Sequence, residues 1–341
     1  MALLKLEGFD HVGSTSQLAR KWTYAGGGVT TTGRFSGNGW LFNNVPSSSA
    51  YLSQDLVTTS DTFIFGGAIS ADYGDATNPV IVLQDETGAT QIDIRITSGG
   101  AIQITRNGTV IGASASALFV FGFWNYLEFK VVINDTIGSF NIKLNGLVVL
   151  NSTGIDTRAQ PGTLVKKLRL QPFTFAPTGN YNVKFDDIYF LDASGSFNND
   201  FLGECRIQTN YPNADGSTTD FTPKTGIINY NQVNENPADD DSTYTVGSSP
   251  TEVDLFDVTD FSFTGSIFAV AVNSTMRKDD VGSRTVASVV RTSGTVYEGP
   301  ETAALSDYKI AQAVFPLNPN TSAAWTLGQI NASEFGLKII S

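Results

Sequence analysis

Residues 124–150, "WNYLEFKVVINDTIGSFNIKLNGLVVL", decide the fold class. Leu127, Phe129, Val131 and Ile133 recur at every second position, as do Phe140, Ile142 and Leu144, which is the period of strands with one dry and one wet face. Asn145-Gly146 then interrupts the alternation. Both central residues of a type I′ turn need φ > 0, and Asn and Gly tolerate that conformation best. The segment reads as strands folded back by tight turns, and so as scaffold and not as a site.

The pattern repeats along the first half of the chain. "TFIFGGAIS" (62–70), "NPVIVLQDETG" (78–88), "TQIDIRI" (90–96), "AIQITRNGTVIG" (101–112), "LVKKLRLQPF" (164–173) and "VKFDDIYFLD" (183–192) are short strand-like runs bounded by Gly, Asn, Asp or other turn residues. Antiparallel sheets with one dry face each must bury those faces against each other, so an all-β sandwich or jelly roll is expected. The opening "LLKLEGFD" and the closing "KFDDIYFLD" both read as strands, and their pairing would close a first domain over residues 1–193. From 194 to about 250 the texture turns to Asn, Asp, Ser and Gly with short apolar islands. Alternation returns in "TEVDLFDV" and the final "FGLKIIS", so residues 194–341 are read as a polar connection and a second, smaller β-sandwich. In it, "ECRIQT" (204–209) is a candidate first strand, "RKDDVGSR" (277–284) a charged hairpin tip, and 321–336 holds one helical turn.

Composition agrees. Of 341 residues, 33 are Gly and only 16% are charged, which suits many turns and short strands better than helices. Asp and Glu number 33 against 21 Lys and Arg, a net charge of −12 that repels phosphate backbones and anionic lipid heads. Nucleic acid and membrane are therefore not expected as partners. The apolar runs "ALFVFGFW" (117–124) and "IFAVAV" (267–272) are far below bilayer-spanning length, and "MALLKLEGFDH" is too short for a secretory apolar core. Synthesis in a cytoplasm is expected. The single Cys205 cannot close an intrachain disulfide and has no His or Cys beside it, so it is read as a buried spectator.

Reactive groups are sparse. The only histidine, His11, follows Asp10 and is read as a hydrogen-bonded turn residue and not as a catalytic base. Sandwich glycosidases carry paired carboxylates on one strand face, but "QIDIR" (91–95) places Gln91 and Arg95 on either side of a lone Asp93. Three acidic segments are candidate cation sites: Asp186-Asp187 in "FDDIYFLD", "ENPADDDSTY" (235–244) and "NADGSTTD" (213–220). Strict alternation puts Asp186 with Ile188 and Phe190, and Asp187 with Phe185 and Tyr189, so one carboxylate must enter or border the core. It then needs hydrogen-bond donors or a structural Ca²⁺ ion, and both readings stand. No other cofactor is expected. Trp22, Tyr24, Trp40, Tyr51, Tyr73, Trp124 and Trp325 are candidate sugar-stacking platforms, with Trp124 and Trp325 read as core plugs.

Taken in order, "EGFDHVGSTSQLARKW", "GRFSGNGWLF", residues 124–158, "KFDDIYFLDASGSFNNDFLGECRI", "PNADGSTTDFTP", "ADDDSTY" and "RKDDVGSRTVASVVR" resemble a family of tailed-bacteriophage virion proteins whose first half is a concanavalin A-like, laminin G-like sandwich. The resemblance implies a non-enzymatic tail, fibre, collar or capsid-decoration component on the particle exterior, docked to other virion proteins and to symmetry-related copies of itself. The charged tip of Arg277, Lys278 and Arg284 is then a candidate interaction surface. A carbohydrate-binding host-adhesion module is the alternative. A polysaccharide depolymerase, which would have to use Asp93 and Glu128, comes third because the carboxylate pair of the wider lectin and glucanase superfamily is missing.

Overall fold

A computed structural model of the chain describes residues 3–43, 50–173 and 182–341. Its internal contacts define two compact units, one of residues 1–10 and 14–207 and one of residues 11–13 and 208–341.

The elements of the first unit are β1 (Leu3–Glu7), α1 (Thr15–Leu18), β2 (Thr23–Ala25), β3 (Gly28–Thr30), β4 (Gly39–Asn43), β5 (Tyr51–Asp55), β6 (Thr62–Ala71), β7 (Ile81–Gln84), β8 (Thr90–Ile96), β9 (Ile102–Arg106), β10 (Thr109–Ala113), β11 (Trp124–Val132), β12 (Gly138–Leu144), β13 (Leu147–Ile155), β14 (Lys167–Leu170) and β15 (Asn182–Asp192). They form an eight-stranded sheet in the order β13-β12-β11-β6-β15-β4-β3, with β1 also on β15, and a seven-stranded sheet in the order β10-β9-β8-β7-β14-β5-β2. All pairs are antiparallel, which makes the unit a jelly-roll sandwich. The terminal strands β1 and β15 pair from Leu3↔Leu191 to Glu7↔Ile188.

The two sheets bring different side chains to the shared core. The eight-stranded sheet contributes aromatic rings: Phe65 stacks on Phe129 at 5.4 Å, and Trp40, Phe42 and Phe185 meet edge to face. The seven-stranded sheet contributes Ile81, Leu83, Ile92, Ile94, Ile104 and Leu168, all fully buried. At the 145–146 turn, Asn145 and Gly146 have φ of 51° and 79°, and Leu144 pairs with Leu147 across it.

The alternation expected at 186–187 breaks. Asp186 pairs with Ala68 and Tyr189 with Gly66, so three steps on β15 match two on β6, and Asp187 takes φ 49° in the resulting bulge. Both carboxylates are therefore buried, and on no simple opposite-face rule.

The boundary inferred at 193 lies at 207 in the contacts, because residues 194–207 run back over the first unit. The Gly203 N–H donates to Glu128 and the Leu202 N–H to the Tyr189 hydroxyl. "ECRIQT" accordingly forms no strand. Its backbone donors and acceptors are used by side chains below it.

The second unit contains β16 (Pro212–Thr219), β17 (Thr222–Pro223), β18 (Thr245–Val246), β19 (Val253–Val258), β20 (Val270–Met276), β21 (Arg284–Thr292), β22 (Thr295–Glu298), β23 (Thr302–Ala304), β24 (Lys309–Phe315), α2 (Leu327–Asn331) and β25 (Glu334–Ile339). A six-stranded sheet, β16-β19-β25-β21-β22 with β23 on β21, faces the two-stranded ribbon β20-β24. Val272, Ala313 and Phe315 of the ribbon pack with Val290, Trp325 and Ile330. Trp325 is a core plug whose Nε1 donates to the Phe315 carbonyl at 2.9 Å. The helical turn α2 carries a Thr326/Gln329 capping box.

Two sequence readings change here. "NADGSTTD" is mostly strand: β16 pairs irregularly with β19, and Asp215 accepts from the Tyr230 N–H at 2.6 Å instead of heading a cation loop. Residues 277–284 are not a hairpin tip. β20 pairs with β24 and β21 with β25, so the segment crosses between two sheets, whose facing Ser274 and Ser288 hydroxyls lie 2.8 Å apart.

Candidate functional site

Two polar arrangements stand out in the first unit, one on the outward face of each sheet.

The first is built around Asp186 and Asp187. Asp186 Oδ2 accepts from the Arg34 N–H at 2.7 Å and Oδ1 from the Asp187 N–H at 2.8 Å. Asp187 Oδ1 accepts from the Ile207 N–H at 2.7 Å, and Oδ2 from Arg34 Nη1 at 3.4 Å. All four carboxylate oxygens thus have a donor. Arg34 also donates to the Cys205 carbonyl at 3.0 Å and pairs with Glu204. The half-buried Asp10 accepts from the Asn38 N–H at 2.8 Å, so the glycine-rich loop 33–38 is tied to Asp186 and Asp10 and the strap 194–207 to Asp187.

Beside this hub, the Tyr189 hydroxyl donates to Glu128 Oε1 at 2.5 Å and the Tyr126 hydroxyl to the Asp187 carbonyl at 3.2 Å. Burial followed by the neighbouring Asp187 charge pushes Asp186 up to about 7. Burial also raises Asp187 and Asp10. Cys205 is pushed up to about 12 by burial and then by Glu128, which keeps it a neutral thiol.

The hydrogen-bonded reading of Asp186 and Asp187 is therefore the one the contacts describe. Among the described residues, no group of three or more His, Cys, Asp or Glu side chains is arranged to hold a metal ion. The loop 235–244 likewise has its acids engaged: Thr243 bonds Glu235 and Asp239 within the loop, and Asp241 pairs with Arg277 outside it at 2.7 Å.

The second arrangement lies on the outward face of the seven-stranded sheet. Thr105, Asp93, Val82, Arg169, Ser53 and Thr23 are successive cross-strand partners on β9, β8, β7, β14, β5 and β2, so they form one straight row. Arg95 Nε bonds Asp93 Oδ1 at 2.8 Å, which neutralises that carboxylate. Arg169 stands mid-row, half-buried, with its guanidinium carbon 4.3 Å from the centroid of the Tyr51 ring. Its Nε and the Thr105 hydroxyl are buried without hydrogen-bond partners, and burial lowers the Arg169 pKa.

Other expected residues are dispersed. Asp93 and Glu128 lie on different sheets and cannot flank one glycosidic bond. His11 is half-buried in a turn. Trp22, Trp40 and Trp325 are buried, Tyr24, Tyr51 and Trp124 half-buried, and Tyr73 exposed. Arg277 lies against Tyr308 and Asp241, Lys278 donates to the Gly282 carbonyl, and Arg284 pairs with Asp280 at 2.7 Å. Arg34 and Arg169 were not singled out from the sequence. Arg34 had a local cue, its place in the glycine-rich run "TTGRFSGN", whereas Arg169 becomes visible only through register.

No protein-family model and no curated protein match the chain. Among solved structures it is similar to an alginate lyase (TM-score 0.40, 11% identity, 55% of this chain and 96% of that one). It is also similar to the binding domain of botulinum neurotoxin serotype C1 (0.40, 10%, 100% and 94%) and to lectin I from Ulex europaeus (0.35, 10%, 52% and 94%). At these scores the likenesses carry no argument about function, and the all-β class rests on the sheets themselves.

Proposed function

We propose that the chain is a non-enzymatic structural component of a tailed-phage virion, displayed on the tail or particle exterior and acting by docking of subunit surfaces. The observation that carries the reading is the flank where both sheets of the first unit end. Edge strands β10 and β13 meet there, with Gly112 against Phe140 and Leu150. β13, "LVVLNSTGI", has no charged residue in a chain of net charge −12, and Leu147 and Val148 are 72% and 52% exposed. Val110 on β10 is 49% exposed. Both edges carry bulges, which blunt open-ended strand addition and favour contact through side chains. The sequence resemblance supplies the particle, and the engagement of the hub carboxylates by the chain's own backbone accords with a non-catalytic role.

Mass spectrometry of purified particles tests the proposal. The chain is expected in washed virions at a stoichiometric copy number; presence in infected cells and absence from particles overturns it. A second reading, host-glycan binding by the same component, is favoured by the half-buried Arg169 guanidinium beside the Tyr51 ring on the outward face of the seven-stranded sheet.

A further inference from the structure

Asn-Gly occurs three times in the chain, at 38–39, 107–108 and 145–146. A glycine, having no side chain, offers the least crowded backbone nitrogen to the amide of the residue before it, so each pair is a chemical candidate for ring closure between the two. The fold treats the three differently. Gly39 is buried in β4 and paired with Thr30, and Asn38 is held to Asp10. The other two pairs occupy like turns, with both residues at positive φ, and each turn joins a hairpin whose second strand is a sheet edge, β9–β10 and β12–β13.

The neighbouring strand separates these two turns. Asn145 is clamped twice to Tyr126 of β11: its N–H donates to the Tyr126 carbonyl, and its Oδ1 accepts from the Tyr126 N–H, both at 2.8 Å. Asn107 stands in the same relation to Gln91 of β8 but makes one long contact, N–H to carbonyl at 3.3 Å. Its side-chain amide and the Gly108 N–H have no hydrogen-bond partner among the described residues, and both residues are exposed. Ring closure requires the turn to open so that the glycine nitrogen can reach the amide carbon. One further hydrogen bond of ordinary strength makes such opening about fivefold rarer.

We propose that Asn107 is a self-modification site and that Asn145 and Asn38 are spared. The Gly108 nitrogen gives its proton to hydroxide and bonds Asn107 Cγ; the C–N bond of the side-chain amide breaks, and ammonia leaves with a proton taken from water. A water molecule then opens the cyclic imide, giving aspartate when it attacks the side-chain carbonyl and isoaspartate when it attacks the backbone carbonyl. The net change is one water consumed and one ammonia released, with nothing oxidised or reduced. Arg95 Nη2 lies 3.9 Å from the place of a Cβ on Gly108, so a cation stands by the turn where the new carboxylate forms. Isoaspartate also adds one backbone atom to the two-residue turn that sets the Arg106↔Thr109 pairing at the start of β10. The inference does not depend on the virion reading.

Peptide mass spectrometry tests it on the purified full chain, held folded at mildly alkaline pH and, in parallel, unfolded in urea, with isoaspartate identified by enzymatic methylation. In the folded chain Asn107 is expected to convert at least about fivefold faster than Asn145, with Asn38 unchanged. In urea the clamp is gone, and the three sites should convert at similar rates. A smaller ratio in the folded chain, faster loss at Asn145, conversion of Asn38 at the rate of Asn107, or a preference that urea leaves unchanged overturns the proposal. Since only the purified chain is used, each of these failures is distinguishable from failure of the virion reading.

Discussion

The Tyr189 hydroxyl donates a hydrogen bond to Glu128 Oε1 at 2.5 Å while its ring lies over Gly66, so three neighbouring strands, β11, β6 and β15, are joined by one side chain. A Cβ at Gly66 would overlap the Tyr189 ring inside the buried centre of β6. Gly66→Ala should lower unfolding free energy by about 1–3 kcal/mol, as overpacking of a filled site does. Tyr189→Phe keeps the ring and removes the hydroxyl, leaving the Leu202 N–H without its acceptor, and should cost about 1–3 kcal/mol. Urea unfolding of the two variants checks both; wild-type stability in Gly66→Ala would mean the ring can move aside.

Asp186 makes stability depend on pH in an unusual direction. Burial, then Asp187, raise its folded pKa to about 7, above the ordinary 3.8, so the native state takes up a proton that the unfolded chain does not. The native state therefore gains stability as pH falls from about 7 to about 4, and below that both states hold the proton. Asp187 and Asp10, also raised, act with the same sign. Asp85 and the exposed Asp241 and Glu252 are lowered and lose their contribution only at more acidic pH. The melting temperature should rise between pH 8 and pH 5, with a shallower rise in Asp186→Asn. Equal slopes in both proteins would remove Asp186 as the cause.

How much of this was legible in the sequence follows from the range of each interaction. The period-two runs and Asn145-Gly146 announced the strands and the hairpin because alternation and turn chemistry are local. The "AIQITRNGTVIG" run concealed a turn of the same kind at Asn107-Gly108, where φ is 43° and 85°. The bulge at Asp187 was not legible, since it depends on pairing with a strand more than a hundred residues earlier. The hub stayed hidden for the same reason: Arg34 and Asp187 are 153 residues apart. "RKDDVGSR" looks like a hairpin tip because two apolar strands flank it, and nothing local says that those strands join different sheets.

Arg34 is the common tie of loop and strap, with its side chain 8% exposed beside Asp187, and it contacts the Phe35 and Tyr126 rings at 4.6 and 4.9 Å. Arg34→Ala leaves Asp187 buried without its cation and should destabilise by about 3–5 kcal/mol. Releasing the strap should also expose Cys205. Alkylation of that thiol, slow in the wild type because its pKa is pushed up to about 12, should accelerate in Arg34→Ala under native conditions. Unchanged alkylation with the stability loss would mean that the strap is held mainly through Glu128, Tyr189 and Asp187.

Chelation separates the two readings of the acidic pair. With the four oxygens of Asp186 and Asp187 already accepting from N–H groups, EDTA should leave the melting temperature unchanged. A bound ion present at 100 times its dissociation constant would add about 2.7 kcal/mol, so a calcium site would reveal itself as a clear fall.

Docking can be assigned to a surface by comparing two sets of substitutions. The heads of Arg277, Lys278 and Arg284 are already engaged by Asp241, Gly282 and Asp280, so a partner would have to displace exposed pairs worth about 0–1 kcal/mol each. Leu147 and Val148 need no such exchange: they are exposed, uncharged and set on an edge strand that continues into the blunted flank. Leu147→Lys with Val148→Lys should leave unfolding within about 0.5 kcal/mol of wild type, as surface changes do. Placing two like charges on the flank should exclude the chain from particles, as judged by its copy number in washed virions. Replacing Arg277, Lys278 and Arg284 by Ser should leave that copy number unchanged. The reverse pattern, with loss in the serine variant and normal incorporation of the lysine variant, would move the docking surface to the second unit and leave the flank as plain exterior.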